Sequence, residues 1–179
     1  MNRFRVIPEQ STFEAELQSN VHPVHARASG IYGYIECAPG PDAGLDWEAP
    51  LRAQMALWVE DIDSDNELRD VEMKRRLDSR AHPTIEWVVK RVWPRNGRYR
   101  ATCEVTVHGR TSSFDGDFTI GWGADRLTVE GRHVFDMRDF GLTPPRFLWL
   151  WMEPELTVRV RIVARRVGDA RPGEVTGGT

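Results

Sequence analysis

The chain has 179 residues, of which 40% are hydrophobic and 28% charged, so a single domain with a sizeable core is expected. Its net charge is −3 and its basic and acidic residues are interspersed, which argues against the basic stripe of a nucleic-acid-binding protein. No apolar run approaches the roughly 18 residues of a membrane span, and residues 1–9 lack the apolar stretch of a signal peptide. We therefore expect a cytoplasmic protein with no transmembrane segment and no nucleic-acid partner.

The first periodic segment, 11–17, alternates apolar and polar side chains, which is typical of a strand with one buried face. The same alternation continues through segments 51–60, 84–93, 99–108, 113–120, 127–135 and 155–165. Asn96-Gly97, between two of these segments, indicates a tight hairpin. One apolar and one polar face per strand indicate an antiparallel sheet.

Ser64-Asp65-Asn66-Glu67 has the capping-box pattern and predicts one inserted α-helix over about 65–78, with Leu68, Val71 and Leu77 facing inward. Short helical turns or loops are expected at 21–28 and 144–151. The fold class is therefore all-β: a single closed antiparallel barrel of about eight strands, carrying this helix. The domain is predicted to span 1–167, and the polar, Gly-containing tail 168–179 is predicted to be disordered.

Four blocks of sequence resemble a known family, and they occur in its order over roughly residues 4–165. The blocks are Phe4–Ser11, Asp61–Asp70 with the following Arg76–Asp78 and His82–Ile85, Val105–Thr111, and Met137–Leu142. Together they resemble a YceI-like domain, of the lipid- or polyisoprenoid-binding family. The resemblance implies an extended, lipocalin-like, eight-stranded barrel with an apolar tunnel for an isoprenoid chain, a quinone or a fatty amphiphile, and it implies a possible homodimer.

The chain departs from the family pattern in two places. Arg110 stands where the family usually has an apolar residue, and segment 147–152 is unusually bulky. Within that segment Trp149 and Trp151 would narrow or close a tunnel.

The apolar strand faces supply the candidate ligand-binding residues, because such a ligand needs a dry concave surface with few polar groups. These residues are Phe13, Met55, Leu57, Trp87, Val89, Cys103, Val105, Phe118, His133, Phe135, Trp149 and Val158. The alternative is that the same side chains simply fill the barrel. In that case the protein would be an interaction protein that uses a dimer interface as its surface, a hypothesis suggested by aromatic residues such as Trp58.

Polar motifs point to no reaction. No nucleophile motif, phosphate-binding loop or dinucleotide fingerprint occurs, so no catalytic residue and no cofactor are expected. His22-Pro23-Val24-His25 lacks a third ligand, so no metal is expected, and nothing requires Cys37 and Cys103 to pair. The main expectation is a non-enzymatic carrier of an apolar small molecule.

Two further hypotheses about the function of the polar residues stay open. An enzyme on the same barrel would have to use His133, Asp136 and Tyr34. A cationic group for a ligand head would come from an arginine, although ion pairing within the protein is the favoured role for each of them. The arginines considered are Arg69, Arg75, Arg76 and Arg138.

Overall fold

The computed structural model describes residues 1–41, 44–147 and 149–168. The strands are β1 Asn2–Val6, β2 Thr12–Ser19, β3 Val24–Ser29, β4 Tyr32–Cys37, β5 Arg52–Trp58, β6 Thr84–Arg95, β7 Arg98–Val107, β8 Arg110–Trp122, β9 Arg126–Asp136, β10 Arg146–Phe147 and β11 Leu150–Arg166. The α-helix, α1, spans Glu67–Arg76, and 3-10 turns lie at Pro8–Gln10, Val59–Asp61 and Met137–Phe140.

These strands close into an eight-stranded antiparallel barrel, as the sequence predicted. β1 and β2 are two parts of one bent strand, interrupted by the turn Pro8–Gln10, and both pair with β11. β3 and β4 are likewise two parts of one strand, pairing with β2 and β1. From β4 the wall continues through β5, β6, β7, β8 and β9 to β11, which closes it.

Alternation decides which side chains enter the barrel. Directly opposite residues of paired strands share a face, so the pairs Met55–Trp87 and Trp87–Val105 place all three side chains on the inner face. The outer face carries ion pairs, such as Arg100 with Asp117 at 3.0 Å. The inward-facing residues were correctly predicted along β5, β6, β7 and β11.

Two hairpins are built on left-handed backbone conformations. Asn96 and Gly97 have φ values of 51° and 73°, and His108 and Gly109 have 54° and 70°. Two successive residues with positive φ form the tight turn that matches strand twist, which favours Asn-Gly and related pairs. The predicted Asn96-Gly97 hairpin is therefore confirmed.

The helix begins later than the capping box predicted. Asn66 is the N-cap, and its side chain accepts a hydrogen bond of 3.0 Å from the Arg69 backbone N–H. Ser64 points elsewhere, because its N–H and hydroxyl both donate to Asp70 Oδ1. The predicted inner face was also wrong for Leu68 and Val71.

Leu68 is 83% exposed and Val71 61% exposed, whereas Met73 and Leu77 pack against the core. The hydrogen bonds between Ser64 and Asp70 join the beginning of the helix to the segment before it, and the side bearing Met73 and Leu77 faces the barrel. Burial of these two apolar side chains then stabilises that orientation.

Two segments that were predicted to be short helical turns or loops contain strands instead. Segment 21–28 contains β3, which pairs with β2 from Leu17–Val24 to Thr12–Ser29. Segment 144–151 contains β10 and the beginning of β11 in its described residues. In both, pairing with a neighbouring strand outweighs the local turn signal. The predicted disordered tail lies outside the described residues, apart from Gly168.

Candidate functional site

The barrel interior differs between its two sides. On β1, β4 and β5 the inward side chains are fully packed, and Phe4 and Leu57 have no exposed surface. On β6 to β9 some inward side chains, such as Val105 and Leu127, are buried as well. Others on these strands are only half-buried although strands surround them: Trp87, Val89, Cys103, Phe114, Phe118, His133 and Phe135. Exposed surface on an inward-facing side chain means that accessible space lies in front of it.

An aromatic cluster lies within this half-buried region. The ring centroids of Phe114 and His133 are 4.4 Å apart, those of Phe114 and Phe135 4.8 Å, and those of His133 and Phe135 4.6 Å. Alternation on β9 puts His133 and Phe135 on one face, opposite Val158 and Leu156 of β11. We call Phe114, His133 and Phe135 the aromatic cluster.

The aromatic cluster lies where two strands separate. β8 and β9 pair only from Trp122–Leu127 to Phe118–Gly131. Beyond that pair, β8 continues through 110–117 beside β7, and β9 continues through 132–136 beside β11. Among the described residues no strand pairs with the facing edges of these two segments. We call this gap in the wall the β8–β9 split.

Two inward-facing titratable groups near the split, His133 and Cys103, are uncharged at neutral pH. Burial, and then the charge of Arg100, lower the pKa of His133, so its imidazole is neutral. No described residue hydrogen-bonds that ring. Burial, and then the charge of Asp115, raise the pKa of Cys103 to about 11, so this free thiol stays protonated. The region therefore offers an apolar surface with one hydrogen-bonding imidazole, and it lacks an activated nucleophile.

The other predicted ligand-binding residues fall into two groups. Five belong to the buried core: Phe13, Met55, Leu57, Val105 and Val158. Trp149 is 74% exposed and Trp151 42%, so both lie at the surface and do not close the barrel. Sequence reasoning missed Phe114, four residues before Phe118 on β8. Extending the two-residue period of that strand would have found it.

The residues considered for catalysis do not assemble. Asp136 is held by the Arg138 side chain, with 2.9 Å between Asp136 Oδ1 and Arg138 Nε, and this hydrogen bonding lowers the Asp136 pKa to about 2. Tyr34 lies on the outer face, with the Arg3 guanidinium 4.6 Å from its ring centroid. Only His133 faces the interior, and it has neither of these groups beside it.

The arginines that were considered for a ligand head group contact other residues of the protein, which is the role that the sequence favoured. Arg75 and Arg76 both pair with Glu72 at 2.8 Å, and the Arg75 hydrogen bond is the main reason why the Glu72 pKa falls to about 2. Arg69 Nε donates to Ser64 Oγ at 3.1 Å. In the described part of the chain, no three His, Cys, Asp or Glu side chains are grouped so that they could hold a metal ion. Helices of that part are all too short or too polar to cross a membrane.

Comparison with solved structures identifies the same barrel in other proteins. The chain is similar to BcnA of Burkholderia cenocepacia, with a TM-score of 0.72 and 17% identity over 88% of this chain and 98% of that one. A polyisoprenoid-binding domain from Saccharophagus degradans, implicated in plant cell wall breakdown, gives 0.73 and 10% over 93% and 100%. The Campylobacter jejuni YCEI protein gives 0.65 and 13% over 82% and 86%. At these identities the likeness shows the fold alone.

Sequence comparison adds the family. No curated protein matches the chain. The sequence model of the YceI-like domain matches residues 4–164, which include all four blocks noted in the sequence. The chain therefore belongs to the family of YceI-like domains.

Proposed function

We propose that this protein is a non-enzymatic carrier that holds an isoprenoid, quinone or fatty amphiphile in its barrel. The observation that carries the proposal is the set of half-buried side chains on the inner face of β6 to β9, where apolar and aromatic residues keep accessible surface inside the barrel. Such a surface gains free energy when an apolar molecule covers it. The polyisoprenoid-binding domain from Saccharophagus degradans, which has the same fold, supports an isoprenoid-like ligand.

The enzyme alternative has less support. Of its three proposed residues, Tyr34 lies outside the barrel and Asp136 is bound to Arg138. General acid–base catalysis needs a positioned group together with a substrate proton in reach. His133 alone, packed against two phenylalanine rings, supplies hydrogen bonding and no pair of acid and base.

The interaction-protein alternative required a fully filled barrel. The side chains of β1, β4 and β5 do fill their half, and Trp58 is 47% exposed and stacked on Tyr32 with 6.1 Å between centroids. The half-buried residues of β6 to β9 favour a carrier instead. A homodimer and a cytoplasmic location stay predictions.

Native mass spectrometry of protein taken directly from its producing cells tests the proposal, followed by denaturing extraction of bound molecules. We expect one apolar ligand per chain and a rise in Tm when isoprenoids, quinones or fatty acids are added to the extracted protein. An empty protein whose Tm responds to none of these classes would refute the carrier function.

A matched pair of variants locates the ligand. Phe135→Ala removes an inward ring, whereas Val134→Ala changes the neighbouring residue, which is 41% exposed on the outer face. Phe135→Ala should weaken binding by about tenfold, since a large apolar contact is lost. Val134→Ala should bind as the wild type does, and equal losses in both would place the ligand outside the barrel.

A further inference from the structure

A ligand inside the barrel needs an entrance, either through the wall or at an end of the barrel. Three places where the strand pairing stops differ in what covers them. The free edge of β3 is covered by main-chain hydrogen bonds between Arg27 and Asp63, both 2.9 Å. Next to Asp63 lies α1, whose Met73 packs against the core. Opening the wall there would break backbone pairing and uncover apolar side chains.

The barrel end beside the β6–β7 hairpin is covered in a similar way. Leu45 is buried, and its backbone N–H donates to the Tyr99 hydroxyl at 2.8 Å. The Tyr99 ring in turn stacks on Phe118, with centroids 5.7 Å apart. Passage at this end would break a hydrogen bond and a stacked aromatic pair together.

The β8–β9 split has a different cover. The facing edges of 110–117 and 132–136 have no pairing partner in the described part of the chain, so no ladder has to break. The three rings of the aromatic cluster lie across the gap, and the turn Met137–Phe140, which follows β9, packs beside β8. Side-chain rotation is far faster than the separation of paired strands.

A glycine leaves space beside the Phe114 ring. Gly116, on the inner face of β8, lies under the Phe114 ring, and a Cβ there would come within 3.2 Å of that ring. Gly131, opposite Phe118, ends the β8–β9 pairing. Since Gly116 has no side chain, the Phe114 ring has no bulky neighbour at that position.

We propose that the β8–β9 split is a lateral portal for the amphiphile, with the Phe114 ring as its gate. This inference rests on the proposed function. The apolar chain passes between β8 and β9 while Phe114 rotates away from His133 and Phe135. The neutral imidazole of His133 then offers a hydrogen bond to an uncharged oxygen of the head group.

A covalent bridge across the split tests the portal. Asp115 and Val134 are exposed on the outer face, and extending the register of the Phe118–Gly131 pair would place them opposite each other. Asp115→Cys with Val134→Cys, joined by a short bismaleimide, holds the split closed. Both native thiols are removed first by Cys37→Ala and Cys103→Ala, since both are free.

The control bridge joins strands that are already paired. Thr119 and Glu130 are a ladder pair of β8 and β9 on the same outer face, so Thr119→Cys with Glu130→Cys closes nothing new. The two pairs are matched in what they remove, because Asp115 accepts a hydrogen bond of 2.7 Å from Thr102 and Glu130 accepts one of 3.0 Å from Arg161.

The readout is the rate at which the protein takes up a ubiquinone with a geranyl tail. Stopped-flow quenching of tryptophan fluorescence measures this rate, and the inward Trp87 contributes to the signal. The parent protein is the one that carries only Cys37→Ala and Cys103→Ala. We expect the bridge across the split to slow uptake by about tenfold or more, whereas the control bridge and both unbridged proteins should take up the quinone at the rate of this parent. A bridged 115–134 protein that takes up the quinone at the unbridged rate would overturn the portal.

Phe114→Ala gives a second, independent test. Removing a gate should raise the association and dissociation rates together and change Kd less than either rate, whereas Phe118→Ala, beyond the split, should change mainly dissociation. Unchanged rates in Phe114→Ala also count against the portal. If neither the parent protein nor any variant binds the quinone, the proposed function has failed. If all of them bind it at rates that the bridge does not change, only the portal has failed.

Discussion

Ser11 and Val163 join the two ends of the chain where the barrel closes. The Val163 backbone N–H donates to Ser11 Oγ at 3.0 Å, and the Ser11 hydroxyl donates to the Ile7 carbonyl at 2.9 Å. Ser11 has no exposed surface and lies directly after the turn that separates β1 from β2. At this bend the serine side chain satisfies a backbone donor of β11 that the bent strand does not reach.

Ser11→Ala should therefore destabilise the protein. The Val163 N–H would stay buried without a partner, which costs about 1–3 kcal/mol. Urea unfolding measures the change, and Ser113→Ala, at an exposed position of β8, serves as the control with little change expected. Equal stability of Ser11→Ala and wild type would show that the hydrogen bond contributes nothing net.

Gly109→Ala should cost more stability than Gly97→Ala. Both glycines have φ near 70°, where a side chain costs about 1–2 kcal/mol. A Cβ at Gly109 would also lie 2.6 Å from His82 Cε1, whereas a Cβ at Gly97 meets nothing within 4 Å. The difference between the two unfolding free energies isolates the His82 contact. A larger loss for Gly97→Ala would contradict this packing.

The ion pair of Asp136 and Arg138 should make stability depend on acid pH. Hydrogen bonding from Arg138 lowers the Asp136 pKa from 3.8 to about 2 in the folded state. The unfolded chain therefore binds the proton first as pH falls, and the stabilisation present above pH 3.8 is lost between there and about pH 2.

Urea midpoints measured across that window in wild type and in Asp136→Asn check the effect. The wild type should lose its advantage over the variant as pH falls. Arg138→Gln should flatten the pH dependence in the same way, since it removes the partner. A wild-type advantage that persists unchanged at pH 2 would exclude the ion pair as its source.

Tryptophans 87 and 149 distinguish the barrel interior from its surface. Under the proposed function, Trp87→Ala should weaken ligand binding by about tenfold or more, because an inward aromatic surface is lost. Trp149→Ala should leave binding unchanged, because that side chain is 74% exposed. Titration of each variant with the same quinone measures both affinities, and weaker binding in Trp149→Ala would show that the surface tryptophan contacts the ligand.

Much of the barrel follows from the sequence. The two-residue period of β5, β6, β7 and β11 predicts which side chains enter it, because each residue in a strand turns to the opposite face. Asn96-Gly97 predicts its hairpin because the turn needs two positive φ values. The family resemblance, carried by local blocks such as Val105–Thr111, is confirmed by the family match.

Elsewhere local signals were insufficient. Segment 21–28 begins with the turn signal His22-Pro23, and the short alternation from Val24 to Ala28 forms β3 where β2 pairs with it. The inner face of α1 is set by packing on the barrel, which takes Met73 and leaves Leu68 and Val71 exposed. Trp149 has the composition of a ligand-binding residue, yet its position beside the β10–β11 turn exposes it.

The sequence by itself determined the all-β barrel, the inward faces of most of its strands and its family, because alternation and turn chemistry act over neighbouring residues. Only the tertiary structure decided where the wall is complete. The β8–β9 split arises because β8 follows β7, and β9 follows β11, past the point where β8 and β9 part at Phe118 and Gly131. That gap depends on how four strands pair along their lengths, and no local pattern in any one of them encodes it.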